Sequence, residues 1–340
     1  MSISRPERSK NMPPLYKLSR TRKKRLVLLL CAFIIICMTL GTLYSQNHDF
    51  SIRQDEHRHK FGAVYMTLNN PFYEIIDEEI RTVVENHGDV LLTRDPALSV
   101  EKQTEEVNDL IAEGVSVIFL NPVDFERMGP ALEAARKAHV PVITIDTNVQ
   151  DSEYVASTIE TDNYAAGAAC AEHLLATAPS AKILLLKHST AHSAVDRING
   201  FRQTLAGHEG FTIVDEEECE GQLERAMPAT EKMLRRHPEA DTIMALNDPS
   251  ALGAMAALES SGRLQGFRVY GVDGVPETKE LILSGRMTAT AGQSPRRIGH
   301  IAAEQAYQLL QGNTIDQLIQ LPTHLWTRDN LTPEQTKEWD

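Results

Sequence analysis

A chain of 340 residues with 42% hydrophobic and 24% charged residues is too long for one small domain and suits two compact lobes of roughly 100–200 residues each. Its net charge of −13 is unevenly spread: residues 1–25 hold nine Lys or Arg and one Glu, a net of +8, so the remainder carries −21. A remainder that acidic repels phosphate backbones, which argues against nucleic-acid binding, and it keeps an exported domain soluble.

Arg20, Arg22, Lys23, Lys24 and Arg25 run straight into an apolar stretch from Leu26 to Tyr44. About 19 residues rising ~1.5 Å each are enough to cross a ~30 Å hydrocarbon core. With the basic cluster ahead of it, the positive-inside rule makes 1–25 a cytoplasmic tail and 26–44 a transmembrane anchor, and places everything later outside the cytoplasm. A cleaved secretory signal is the alternative. The apolar run is longer than such a signal needs, however, and Leu43-Tyr44-Ser45 is a poor substitute for an A-x-A site. Residues 45–60 are polar and charged and read as a linker.

From Phe61 the pattern becomes strand, turn and helix, repeated. Short apolar runs at Phe61–Met66, Val90–Thr93, Val115–Leu120 and Val140–Ile145 alternate with segments of helical period such as Phe72–Asn86 and Val100–Glu113. A second series follows at Val155–Ile159, Ile183–Lys187, Phe211–Val214, Thr242–Leu246, Phe267–Val272 and Met287–Ala291. Near-continuous apolar strands between helices imply parallel sheets covered on both faces. Two such series predict an α/β protein of two doubly wound parallel-sheet lobes. A last helix, Arg296–Gln311, and a final strand, Leu318–Leu325, are left to be shared between them. Cys31 and Cys37 sit in the apolar stretch, while Cys170 and Cys219 form no disulfide framework and are expected to be unpaired. No spacing suggests zinc, and neither a metal nor a cofactor is expected.

Ligands of open α/β sheets bind beyond the carboxyl ends of the strands. The residues there are Thr67 to Asn70 with Phe72 and Tyr73 close behind, Asn121-Pro122, Asp146-Thr147, His188 to Arg197, Asn247-Asp248, Asp273-Gly274 and Gln293. This inventory suits a polyhydroxylated ligand. Carboxylates accept from hydroxyls, a guanidinium donates in a fork, amides do both, and an aromatic face packs against the C–H side of a sugar ring. Each residue also has a plainer role. Asp162-Asn163 and Asn247-Asp248 look like helix N-caps, Phe72 suits a helix core, and His188 and His192 read as solvated loop residues rather than a metal pair. No G-x-G-x-x-G, P-loop or G-x-S-x-G motif occurs. Two acids without a nucleophile or metal cluster make a binding site more readily than a reaction centre, so an enzyme is not expected.

Phe61–Tyr73 (FGAVYMTLNNPFY), Leu120–Asp124 (LNPVD) and Val140–Asp146 (VPVITID) are followed by Ala194–Phe201 (AVDRINGF), Met244–Leu252 (MALNDPSAL), Tyr270–Val275 (YGVDGV) and Met287–Pro295 (MTATAGQSP). In that order, from Phe61 to about Leu325, the chain resembles the type I periplasmic sugar-binding proteins that feed ABC importers, ribose binders in particular. The resemblance implies sugar contacts at Asn70, Phe72, Tyr73, Asn121, Asp146, Arg197, Asn247, Asp273 and Gln293. It implies lobes of 61–161 plus 294–321 and 162–293 plus 322–340, joined by a three-crossover hinge near Thr161–Asp162, Gln293–Ser294 and Leu321–Pro322. It further implies a monomer that meets an ABC permease, or alternatively a sensor kinase or chemoreceptor, in the membrane. The chain departs from the ribose binders at Thr147, which stands where they have Arg, and at Met66, Val272 and Gly221-Gln222. These changes reshape the pocket and open it to a hexose or polyol as readily as to a pentose. A repressor of the same fold would carry a helix-turn-helix where this chain has its apolar stretch.

Overall fold

The computed structural model describes residues 29–40 and 58–339. The basic tail of 1–25, the two ends of the 26–44 apolar stretch and the linker up to 57 lie outside the described residues. Residues 29–40 form a helix, α1, whose large apolar side chains from Leu29 to Leu40 are exposed. Among the described residues no helix is long and apolar enough to cross a membrane.

Residues 58–339 build two six-stranded sheets. In the first, β1 (Lys60–Val64), β2 (Val90–Arg94), β3 (Val117–Leu120), β4 (Val142–Ile145), β5 (Ser157–Thr161) and β11 (Leu318–Leu321) take the order β11-β5-β4-β3-β1-β2, all parallel. The second contains β6 (Ala181–Lys187), β7 (Phe211–Glu218), β8 (Thr242–Ala245), β9 (Arg268–Asp273), β10 (Ala289–Gly292) and β12 (His324–Thr327), in the order β12-β10-β9-β8-β6-β7. Both wind alike, so each has a switch point, between β1 and β3 and between β6 and β8, where the chain reverses direction across the sheet. Central strands such as VIFL, VITI and TIMA are buried along their whole length, as two helix-covered faces require.

Two details correct the sequence reading. Val155–Ile159, placed at the head of the second series, pairs as β5 with β4 and β11 of the first sheet. Leu318–Leu325, read as one strand, is two: Pro322, which offers no backbone donor to a ladder, separates β11 from β12. The latter runs antiparallel to β10 on the other sheet, so that lobe is not wholly parallel.

The helices follow from local chemistry. In α2 (Pro71–Asn86) Pro71 opens the first turn, Asn70 caps it by accepting from the Phe72 amide, and Phe72, Tyr73, Ile76, Ile80 and Val84 line the buried face. The long α10 (Pro295–Leu310) follows β10 of the second sheet but packs on α2, β4 and β5 of the first. Chain and lobe therefore exchange at three places: after β5, after β10 and between β11 and β12. In the second lobe α5 (Asn163–Thr177) lies against α6 (His192–Leu205) through two glycines. A Cβ on Gly167 would come within 1.8 Å of the Arg197 carbonyl oxygen, and one on Gly200 within 2.1 Å of that of Tyr164. Gly167→Ala is expected to force the helices apart at a cost of about 2 kcal/mol. Thermal denaturation indistinguishable from the unsubstituted chain would show that the contact yields freely.

Glu160 on β5 is 5% exposed and accepts from the Gln320 side chain at 3.0 Å. Burial pushes its carboxyl up to about 7, against the pull of that hydrogen bond and of His192. A carboxyl raised in the folded state favours folding fully below its ordinary value of 4.5, and that contribution is lost as pH climbs through 7. Glu160→Gln is therefore expected to leave stability unchanged at pH 4 and to raise it by about 2–3 kcal/mol at pH 8.5. Denaturant titrations at both pH values check this, and equal stability of the two proteins at pH 8.5 would refute it.

Candidate functional site

The carboxyl ends of the two sheets face each other across a narrow cleft lined by polar and aromatic residues of both lobes. Arg197 stands in its middle, 4% exposed, projecting from the second turn of α6. Its Nε donates to Asn163 Oδ1 at 2.8 Å and its Nη1 to the Leu246 carbonyl at 3.1 Å. The guanidinium lies 3.7 Å from Asp146 Oδ1 of the first lobe and 3.7 Å from Asp273 Oδ1 of the second. Asp146 directly follows β4 and Asp273 ends β9, equivalent strands of the two sheets, and both hold positive φ, 67° and 137°. Such backbone is costly for a residue other than glycine and gathers at ligand sites.

Each carboxylate is held on one side and open on the other. Tyr73 OH and Asn121 Nδ2 both donate to Asp146 Oδ2, at 3.3 Å each. Gln293 Nε2 donates to Asp273 Oδ1 at 2.8 Å. Asp146 Oδ1, Asp273 Oδ2 and Gln293 Oε1 are buried without a hydrogen-bond partner. Burial pushes both carboxyls above the usual carboxylate range, with Arg197 pulling back. Three buried acceptors are thus left open to donors from a ligand, and an unmade buried hydrogen bond is expensive.

Of the nine residues read from the sequence, Asn70, Phe72, Tyr73, Asp146, Arg197, Asn247, Asp273 and Gln293 line this one cleft. Asn121 stands behind it. Fully buried, it ties Asp146 and the Ile145 carbonyl to the Met66 amide. Asn70 and Asn247 are N-caps as well as lining residues. The reading of His188 as a solvated loop residue is corrected: it is 5% exposed and lines the cleft, and burial lowers its basicity. His192 is half-buried in the first turn of α6, 3.2 Å from Asp196.

Gly221-Gln222, noted above as a departure from the ribose binders, do line the cleft, while Glu220 and other residues of the site were missed or read differently. Glu220, Gly221 and Gln222 enter from the loop after β7, where the positive φ of Glu220 and Gly221 turns the chain inward. Asn163, thought to be part of a cap, orients Arg197, while the cap itself is Asp162. Asp248 is buried and accepts from the Gly274 and Val275 amides and the Thr278 and Thr290 hydroxyls, which fixes the turn that carries Asp273. Trp339 packs on Phe72 with ring centroids 5.9 Å apart. Its segment is held through Glu338, whose carbonyl accepts from the buried Lys279. Among the described residues no group of three or more His, Cys, Asp or Glu is placed to hold a metal ion, and Cys170 and Cys219 are buried free thiols.

Residues 61–314 match the periplasmic binding protein domain family. The chain belongs to the type I periplasmic sugar-binding proteins. It is 30% identical to the ribose import binding protein of Escherichia coli (strain K12) over 256 residues, 75% of this chain and 86% of that one. With the ribose import binding protein of Bacillus subtilis (strain 168) it shares 30% over 269 residues, 78% and 87% of the two chains. Among solved structures it resembles an ABC transporter solute-binding protein from Mycobacterium smegmatis with bound glycerol, at 30% identity and a TM-score of 0.76 over 80% of this chain and 95% of that one. Such binding proteins carry solutes without transforming them, so this chain is not an enzyme, and the family places it outside the cytoplasm.

Proposed function

We propose that this periplasmic binding protein closes its lobes on one small, uncharged, hydroxyl-rich molecule, a pentose, hexose or polyol, and delivers it to an ABC-type importer. The observation that carries the reading is one buried guanidinium set 3.7 Å from a carboxylate of each lobe, in a cleft where Asp146 Oδ1, Asp273 Oδ2 and Gln293 Oε1 are buried without a hydrogen bond. A ring or chain of hydroxyls satisfies all of them at once, accepting from Arg197 and donating to Asp146, Asp273 and Gln293, with Phe72 and Tyr73 against its C–H face. Asn70 and Asn247 add amide contacts from the two helix caps, and Asn121 holds Asp146 in place. The hinge lies at the three exchanges between lobes, and the ligand favours closure through its contacts to both.

A panel of D-ribose, myo-inositol, glycerol and hexoses, screened by thermal shift on the full chain, tests the reading. A ligand at 100 times its dissociation constant stabilises the fold by about 2.7 kcal/mol, a rise of several degrees. A panel without effect would overturn sugar binding. The apolar stretch of 26–44 tethers the binding domain to the outer face of the membrane, where a tether raises its effective concentration beside a permease. Cell fractionation recovering the chain only as a soluble, shortened product would refute the tether.

A further inference from the structure

Thr147, one of the positions where this chain departs from the ribose binders it resembles, is fully buried and lies beside the cleft rather than in its lining. Its hydroxyl Oγ1 accepts from the Ser193 amide at 3.0 Å. That amide belongs to the first turn of α6, in the other lobe, and the N-cap residue of α6, Ala191, makes no side-chain cap bond. A helix start leaves amides without partners unless a neighbouring side chain accepts from them. Here the acceptor comes from across the cleft. Beside it the Phe125 amide of the first lobe donates to the Thr190 carbonyl of the second at 3.0 Å, and the Phe125 ring meets His192 edge-on with centroids 5.2 Å apart. The start of α6 is thus gripped by the first lobe at two backbone groups, one accepting and one donating.

Four residues beyond Ser193 on the same helix stands Arg197. We propose that Thr147 is a positioning residue that caps α6 in trans, so that lobe closure and the final seating of Arg197 are one event. The cap forms only when the lobes meet, and the ligand that draws them together thereby tightens the turn that presents the guanidinium to it. This rests on the sugar-binding reading for its effect on affinity, but the cap itself does not.

The test compares Thr147→Val, which keeps the shape and removes the acceptor, and Thr147→Ser, which keeps the acceptor, with the unsubstituted full chain. Hydrogen exchange at residues 192–195 is measured with and without D-ribose or myo-inositol, alongside calorimetric affinity. The Val variant is expected to exchange faster there and to bind about five- to tenfold more weakly, the worth of one helix cap. The Ser variant is expected to restore both, and the melting temperature of the free chain to change little. Equal exchange and equal affinity in the Val variant and the unsubstituted chain overturn the proposal, as does failure of Ser to restore them. If no probe binds the unsubstituted chain, the sugar reading is what fails, and the cap is then decided by the closed form that the free chain itself populates: faster exchange at residues 192–195 in the Val variant supports it and equal exchange overturns it.

Discussion

Replacing Arg197 by Met is expected to weaken sugar binding about 100-fold or more. The side chain is the single Lys or Arg among the described lining residues, and it stands between two buried carboxylates that each have one oxygen without a hydrogen bond. Without it, a ligand loses its forked donor, and Asp146 and Asp273 face each other with no cation between them. A hydrogen bond to a charged group contributes about 1.5–3 kcal/mol, and leaving buried partners unpaired adds to the loss, so two orders of magnitude follow. Arg197→Lys is expected to recover only part of this, because an ammonium cannot reproduce the fork between Asn163, Leu246 and the ligand. Calorimetric affinity within threefold of the unsubstituted chain would remove Arg197 from the site.

Asp248→Ala is expected to cost about 3–4 kcal/mol of stability and to lower the melting temperature by roughly 10 °C. Two amides and two hydroxyls converge on this carboxylate, and all four lie in the interior, where water cannot replace it. Burial holds its carboxyl above the usual range despite those donors, so part of the loss is offset by no longer keeping a charge out of water. The turn it secures carries Asp273, so affinity is expected to fall along with stability. Thermal and denaturant unfolding check the first effect and calorimetry the second. A melting temperature within 2 °C of the unsubstituted chain would show that the turn stands without it.

Much of the site was legible because strand ends are legible. A run such as VITI announces its own carboxyl end, and in a doubly wound sheet that end faces the ligand, so Asp146, Asn121, Asn247 and Asp273 could be picked out before any coordinates. What stayed hidden depends on how distant parts meet. His188 looked like a loop residue because nothing local reveals that Gly221 and Asn247 close over it. The pairing of Glu160 with Gln320, 160 positions on, and the packing of Trp339 on Phe72 are likewise products of chain crossing, not of local pattern. Gly167 gave no signal at all, since a glycine inside a helix reads as a weakness until a neighbouring carbonyl is found pressed against it. Pro322 was the exception, a local cue to the break between two strands that the strand pattern passed over, although the resemblance set a crossover there.

The placement of α10 and β11 has a consequence for how the chain is made. Neither lobe is a continuous segment: the first sheet gains its sixth strand, and α2 its covering helix, only from residues 295–321, after the intervening stretch has supplied five of the second sheet's six strands. A nascent chain emerging amino end first must therefore carry an unfinished lobe, with the apolar face of α2 uncovered, through most of its synthesis. Contacts spanning such separations form slowly and leave sticky surfaces exposed meanwhile. Delivery through a translocation pore as an extended chain, folding only once the last segment is through, suits this architecture better than folding in step with elongation.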